Sequence, residues 1–244
     1  MLDRVLDVVF PRRCAGCGDG GWPFCPACAS RLVALGPPWC ERCGRPSERP
    51  LDRCEDCPPD PVAMARAPFL FEGPARAAVL KLKFAGWRAV ADALASAMAS
   101  CEPPPADVIT WVPLARRREA ERGYDQARAL SGAIARRIGV PAAPLLRRTR
   151  TTSPQAKRAA AERRAALAGA FRSIRSAPDR VLLVDDVLTT GATAAACAGA
   201  LRDAGAREVV LLTATRAFSG SLPLRYARRG FPSGSVVARR DALR

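Results

Sequence analysis

Histidine is absent from all 244 residues. Any transition-metal site must therefore use thiolates or carboxylates, and any general base must be something other than imidazole. Aromatic residues make up only 6% of the chain, so the core has to be assembled mainly from Ala, Val and Leu. No apolar run reaches the ~20 residues needed to cross a bilayer. Met1 to Phe10 is too short and, with Asp3 and Asp7, too acidic for a secretory signal, and its apolar residues Leu2, Val5, Leu6 and Val9 follow helical spacing instead. These absences predict a cytoplasmic protein with no membrane partner. Cysteine, by contrast, is plentiful at ten residues. A reducing compartment turns that abundance away from disulfides and towards metal or redox chemistry.

The net charge of +16 is unevenly spread. Residues 1–114 are neutral overall, residues 115–175 carry +12, residues 176–215 carry −2 and the tail from Arg216 adds +6. Composition divides the chain in the same spirit. A Cys-, Pro- and Gly-rich segment covers 1–61 and closes on Pro58-Pro59-Asp60-Pro61, which reads as a linker. Residues 62–215 alternate apolar runs with helical patterns, and 216–244 form a basic, Gly-containing tail.

Within 62–215 the spacing predicts helices over Pro74–Lys83, Arg88–Ser100, Tyr124–Arg137 and Thr193–Ala204, the last closed by Gly205. Val108–Val112, Val181–Val184 and Val209–Leu212 read as strands, the latter two as runs buried on both faces. Such alternation predicts an α/β fold with a Rossmann-like parallel sheet and right-handed crossovers.

Cys14/Cys17, Cys25/Cys28, Cys40/Cys43 and Cys54/Cys57 share one internal spacing. Two intervening residues let a tight turn aim both sulfurs at one ion, and Gly18 and Gly44 relieve the strain of such turns. Zinc suits four tetrahedral thiolates, which predicts a small N-terminal zinc-ribbon module with two structural sites. Sequential pairing is the simplest arrangement, although a crossed pairing, redox dithiols and an iron–sulfur cluster use the same residue type. Each thiolate-only site adds −2, leaving the segment at about −4, the wrong sign for a phosphate-backbone surface. Cys101 and Cys197 lie on predicted helices among alanines and read as packing residues.

The most informative stretch is Val181-Leu182-Leu183-Val184-Asp185-Asp186-Val187-Leu188-Thr189-Thr190-Gly191-Ala192-Thr193. A buried strand ends in two carboxylates, and a hydroxyl-rich turn then opens a helix whose N–H groups suit a phosphate. Gly191 permits close backbone approach. Asp185 and Asp186 are suited to vicinal hydroxyls or a bound Mg²⁺. Neither a Walker A loop nor a dinucleotide fingerprint is present.

This segment resembles the signature of type I phosphoribosyltransferases for 5-phosphoribosyl-1-pyrophosphate (PRPP). The resemblance implies that Asp185 and Asp186 hold the ribose hydroxyls, that Thr189, Thr190, Gly191, Ala192 and Thr193 cradle the 5-phosphate, and that Mg²⁺ accompanies PRPP. Further matches resemble the ComF family, competence-associated proteins with a cysteine-rich N-terminus ahead of a phosphoribosyltransferase domain. They comprise Phe71-Glu72-Gly73-Pro74 with Arg76, Leu82-Lys83-Phe84 with Gly86, Val112-Pro113-Leu114, Arg122-Gly123-Tyr124 with Gln126, Gln155, and Gly169-Ala170-Phe171. By this resemblance Pro113, Leu114, Ala115 and Arg116 form a pyrophosphate loop, Lys83 and Arg122 belong to the substrate site, and Arg147–Gly169 forms a hood. The implied activity is transfer of phosphoribosyl from PRPP to a nitrogen acceptor, linked to DNA uptake, with a non-catalytic PRPP-sensing or DNA-associated accessory as the alternative. Ala115, Asp125 and Ala166 depart from the family pattern, which has His, Asn and Asn there. The basic segment 115–175 exceeds the needs of one small ligand. It fits solvated arginines, DNA, or a competence or recombination protein, with little aromatic interleaving for base stacking.

Overall fold

Val181–Val184 lies in a longer strand than its apolar run predicts. The computed structural model describes residues 13–84, 89–149, 169–218 and 223. The predicted opening helix, the residues Gly86, Arg88, Gln155 and Ala166, most of the hood and nearly all of the tail lie outside them. The described residues contain seven strands: β1 (Met64–Arg66), β2 (Phe69–Leu70), β3 (Val108–Trp111), β4 (Leu146–Arg148), β5 (Phe171–Ser173), β6 (Arg180–Leu188) and β7 (Glu208–Arg216). The same residues form the helices α1 (Pro26–Ala29), α2 (Gly73–Phe84), α3 (Ala89–Ala99), α4 (Arg116–Arg122), α5 (Gln126–Ile138) and α6 (Ala192–Asp203).

The central sheet runs β1-β7-β6-β3, with β2 also pairing β7, and every pairing in it is parallel. A separate antiparallel pair joins β4 to β5. Strand β6 continues past Asp185 and Asp186 because β7 offers it partners all the way, ending with Leu188 opposite Arg216. The expectation that the strand stops at the two acids is corrected by this pairing.

Helices cover both faces, as parallel strands require. On one face, Leu182, Val184, Val210 and Leu212 pack with Ala78, Val79 and Leu82 of α2, Leu94 and Met98 of α3, and Leu130 and Ile134 of α5. On the other, Val181, Leu183, Val209 and Leu211 pack with Ala194, Ala198 and Leu201 of α6 and with Leu146 and Phe171 of the β4–β5 pair. The alternation of even and odd positions is the strand period of two. It also decides where the acids of β6 point. No helix among the described residues is long and apolar enough to cross a membrane.

The cysteine-rich segment is fastened to this core at both cysteine clusters and, between them, where Leu35 donates to the Pro68 carbonyl and Val33 accepts the Leu70 amide. The first CxxC turn sits on α2, where Ala15 joins the core and Lys81 Nζ donates to the carbonyls of Cys14 (3.2 Å) and Gly16 (2.8 Å). The later half reaches the ends of β1 and β7, where Arg216, 1% exposed, donates to the carbonyls of Cys43 and Asp56. The proline run expected to be a linker is therefore packed structure: Pro58 is buried, which costs little because proline brings no N–H to satisfy.

Candidate functional site

Parallel strands deliver their following loops to one edge, and ligands of open α/β sheets bind there. Here β6 and β3 are neighbours, so the turn at Thr189–Gly191 and the loop Val112–Ala115 emerge side by side. Val112 donates its amide to the Val184 carbonyl at 3.0 Å, binding the start of one loop to the strand that feeds the other.

Gly191 is the N-cap of α6 with φ +74°, the left-handed region that glycine enters without penalty. Thr189 and Thr190 are exposed, and Thr193 is half-buried. Together with Asp185, Ala192, Leu211 and Thr213 they line a pocket of about 50 Å³ at the helix mouth. The amide of Ala192 donates to the Thr190 hydroxyl at 3.5 Å.

The two acids face opposite ways. Asp185 turns to the α6 face and into this pocket. Its carboxylate accepts the Asp186 amide at 2.8 Å. Burial, and then the neighbouring charge of Asp186, push its carboxyl up to about 8, against the pull of that amide and of Lys83. Asp186, 4% exposed, turns to the α2 and α5 face, where Lys83 pairs with it at 2.8 Å and Gln126 donates to it at 3.0 Å. Arg122 donates to Gln126 at 3.0 Å and stacks over the ring of Phe84, 4.8 Å from its centroid. A second pocket, of about 560 Å³, opens beside this chain of contacts and is lined by Leu80, Lys83, Phe84, Arg118, Glu121 and Arg122. Thus Lys83 and Arg122 sit together with Asp186, whereas the threonine turn sits with Asp185.

The loop at Pro113–Ala115 is organised by Asp125, a residue the sequence reading singled out only as a departure. It caps α5 by accepting the amides of Ala127 (2.9 Å) and Arg128 (3.1 Å), and its other oxygen accepts the Leu114 amide at 3.2 Å. Burial raises its pKa and those amides oppose the rise. An aspartate directly ahead of Gln126-Ala127-Arg128 is a readable N-cap signal. Ala115 is buried at the start of α4 and supplies no side-chain cap, and Arg116 is that helix's first residue. Gln126 was legible as a motif residue but not as the partner of Asp186. That pairing is a contact across sixty residues with no local signal.

The eight paired cysteines form two clusters with sequential membership: Cys14, Cys17, Cys25 and Cys28, then Cys40, Cys43, Cys54 and Cys57. A tetrahedral ion with bonds of ~2.3 Å places its sulfurs ~3.8 Å apart. The observed separations bracket that value: 3.7 Å for Cys17–Cys25, 3.6 Å for Cys40–Cys57, 3.3 Å for Cys43–Cys54 and 3.9 Å for Cys54–Cys57. Gly18 and Gly44 follow their CxxC turns with φ +97° and +68°, as the spacing predicts. Cys197 is fully buried in α6, and burial holds its thiol well above the ordinary value. Cys101 lies just beyond the end of α3 rather than on it, with its thiol pushed up to about 12 by burial.

Comparisons with known proteins agree with this layout. Residues 5–58 match the family model of the double zinc ribbon domain, so the two clusters are zinc-ribbon sites. The chain is 35% identical over 116 residues to Competence protein F of Haemophilus influenzae, a match covering 46% of this chain and 51% of that protein. It therefore spans about half the length of this curated relative. Among solved structures, it is similar to a glutamine PRPP amidotransferase from B. subtilis complexed with ADP and GMP, at 23% identity and TM-score 0.37, over 51% of this chain and 26% of that one. It is also similar to a structure of the allosteric regulatory enzyme of purine biosynthesis, at 26% identity and TM-score 0.34, over 51% of this chain and 25% of that one. At these TM-scores the likenesses add nothing to the sheet order and loop geometry already described.

Proposed function

We propose that this ComF-like chain binds PRPP at the carboxyl edge of β6 and transfers its phosphoribosyl group to a nitrogen acceptor. The observation that carries this reading is Asp185, half-buried at the mouth of α6 among Thr189–Thr193. A phosphate suits the free first-turn amides and threonine hydroxyls, and the neighbouring carboxylate suits the ribose hydroxyls of the same molecule. Asp185 also has the oxygen donors to hold Mg²⁺ arriving with PRPP once it gives up the proton that burial favours. When bound, Mg²⁺ would supply positive charge to the departing pyrophosphate.

In the transfer, the bond from ribose C1 to a pyrophosphate oxygen breaks and one from C1 to the acceptor nitrogen forms. The nitrogen's proton leaves to pyrophosphate or solvent, and no histidine is required. The Ala115 amide, in a loop steadied by Asp125, would face the pyrophosphate, the Leu114 amide being held by Asp125 and Pro113 having none. Lys83 and Arg122 would supply positive charge from the other face, which fits the 560 Å³ pocket they line. Calorimetry with PRPP and Mg²⁺ should give saturable heat that an Asp185→Asn, Asp186→Asn double variant loses. No heat from the unaltered protein would end the proposal.

A second reading is a non-catalytic accessory factor that senses PRPP or attends DNA uptake. Asp186 favours it, being already engaged by Lys83 and Gln126 and so not free for a sugar. Exposed Arg147 and Arg172, directly opposite each other on β4 and β5, place like charges where a polyanion such as DNA would relieve them. Pyrophosphate release across a panel of bases and amines separates the readings: sustained turnover favours transfer, and binding without turnover favours the accessory.

A further inference from the structure

We infer that the second zinc site clamps the phosphate loop, so that zinc held by Cys40, Cys43, Cys54 and Cys57 and a phosphate ligand at Thr189–Thr193 stabilise each other. The inference rests on reading that turn as phosphate-binding. It comes from three contacts that bracket the turn.

At the tip, Gly191 lies directly against the residues that follow Cys57. A Cβ on Gly191 would stand 2.5 Å from Cβ and 2.9 Å from Cα of Pro58, and 3.4 Å from Cδ of Pro59. Two consecutive prolines have fixed φ angles, so they transmit the position of Cys57 as a stiff wall rather than a yielding loop. Behind that wall, Arg42, from the Cys40–Cys43 turn, donates to the carbonyls of Pro58 (3.4 Å) and Val62 (2.9 Å) and pairs with Asp60 at 2.5 Å.

At the base of the turn, Leu188 is held by the end of β7. It stands opposite Arg216 in register, and its carbonyl accepts the Ala217 amide at 2.8 Å. The buried guanidinium of Arg216 reaches the carbonyl of Cys43 and, at 2.7 Å, that of Asp56. One residue thereby holds both halves of the second site to the strand that fixes Leu188, directly ahead of the phosphate turn. Arg216 is a positioning residue, since it touches the backbone of the zinc ligand Cys43 and of Asp56, beside Cys57, and not the phosphate ligand itself.

A four-thiolate knuckle owes its shape to its metal. Losing zinc from this site would free both the proline wall and the carbonyls that Arg216 holds, and the turn would lose its bracket. Linkage makes the effect mutual: whatever factor zinc adds to phosphate affinity, phosphate adds to zinc affinity. The first site is wired differently. Its contacts go to α2, on the opposite face of the sheet from α6.

The test uses the full chain with two zinc ions bound. PRPP binding with Mg²⁺ is measured first by calorimetry, and zinc transfer to a colorimetric chelator is then followed with and without saturating PRPP. We expect two release phases, of which PRPP slows one by about fivefold or more and leaves the other unchanged. Pro58→Gly, which removes the wall but no zinc ligand, should retain two zinc ions, bind PRPP about fivefold more weakly and lose the protection. Arg216→Met, if it folds, should behave the same way. PRPP that binds the unaltered protein yet slows neither phase overturns the clamp while leaving the binding site standing, as does Pro58→Gly with unaltered affinity. Absence of PRPP binding to the unaltered protein overturns both.

Discussion

The two zinc knuckles are built from the same CxxC turns and are docked by the same device, a cation donating to knuckle carbonyls. Their surroundings differ. Lys81 reaches the first knuckle from a half-buried position on α2, whereas Arg216 is withdrawn from water and serves two carbonyls of the second from the end of the central strand β7. Equal spacing in sequence therefore does not mean equal coupling to the core. What distinguishes the sites is the address of the cation that meets them.

The largest effect should come from truncating those cations. Arg216→Ala leaves the carbonyls of Cys43 and Asp56 buried without a donor and opens a cavity, at a cost of about 3–5 kcal/mol. Lys81→Ala exposes its carbonyls to water and should cost about 1 kcal/mol. For a chain of this size those figures correspond to a melting point lower by roughly 10 °C in the first case and by roughly 2–4 °C in the second. Equal shifts in thermal unfolding would erase the distinction between the knuckles.

A smaller effect sharpens a parallel contrast between the twin acids. The folded-state pKa of Asp185 is raised from 3.8 to about 8, so its contribution favours the folded state in acid and is lost as pH rises towards about 8. Asp185→Asn should therefore raise the melting point, and clearly more at pH 8 than at pH 5. Asp186→Asn should lower it, because Lys83 would keep its burial without its counter-charge. The same sign for both variants at pH 8 would contradict the assignment of the acids to opposite faces.

Much of this arrangement could be read locally. The cysteine spacing, the glycines at 18, 44, 191 and 205, and the buried runs of β6 and β7 each carry a short-range cause, and each sits where that cause places it. The short strands were hidden. β1 and β2 are three and two residues long and separated by Pro68, too brief for any period to register. β4 and β5, Leu-Arg-Arg and Phe-Arg-Ser, are likewise too short to show alternation. At the site, the threonine turn was legible because a helix mouth has a local signature. The division of labour between Asp185 and Asp186 followed from how far β6 extends, and β7 sets that extent. The contacts of Pro58 with Gly191 and of Arg216 with Cys43 join residues more than a hundred positions apart, where no pattern in one sequence could reveal them.

PRPP binding at the β6 edge is tested most directly by a crystal structure of the full chain soaked with PRPP and Mg²⁺. The account predicts the 5-phosphate against the amides and hydroxyls of Thr189–Thr193, with the ribose hydroxyls at Asp185. Saturating PRPP that leaves this turn empty, or seats its phosphate elsewhere on the molecule, would contradict it.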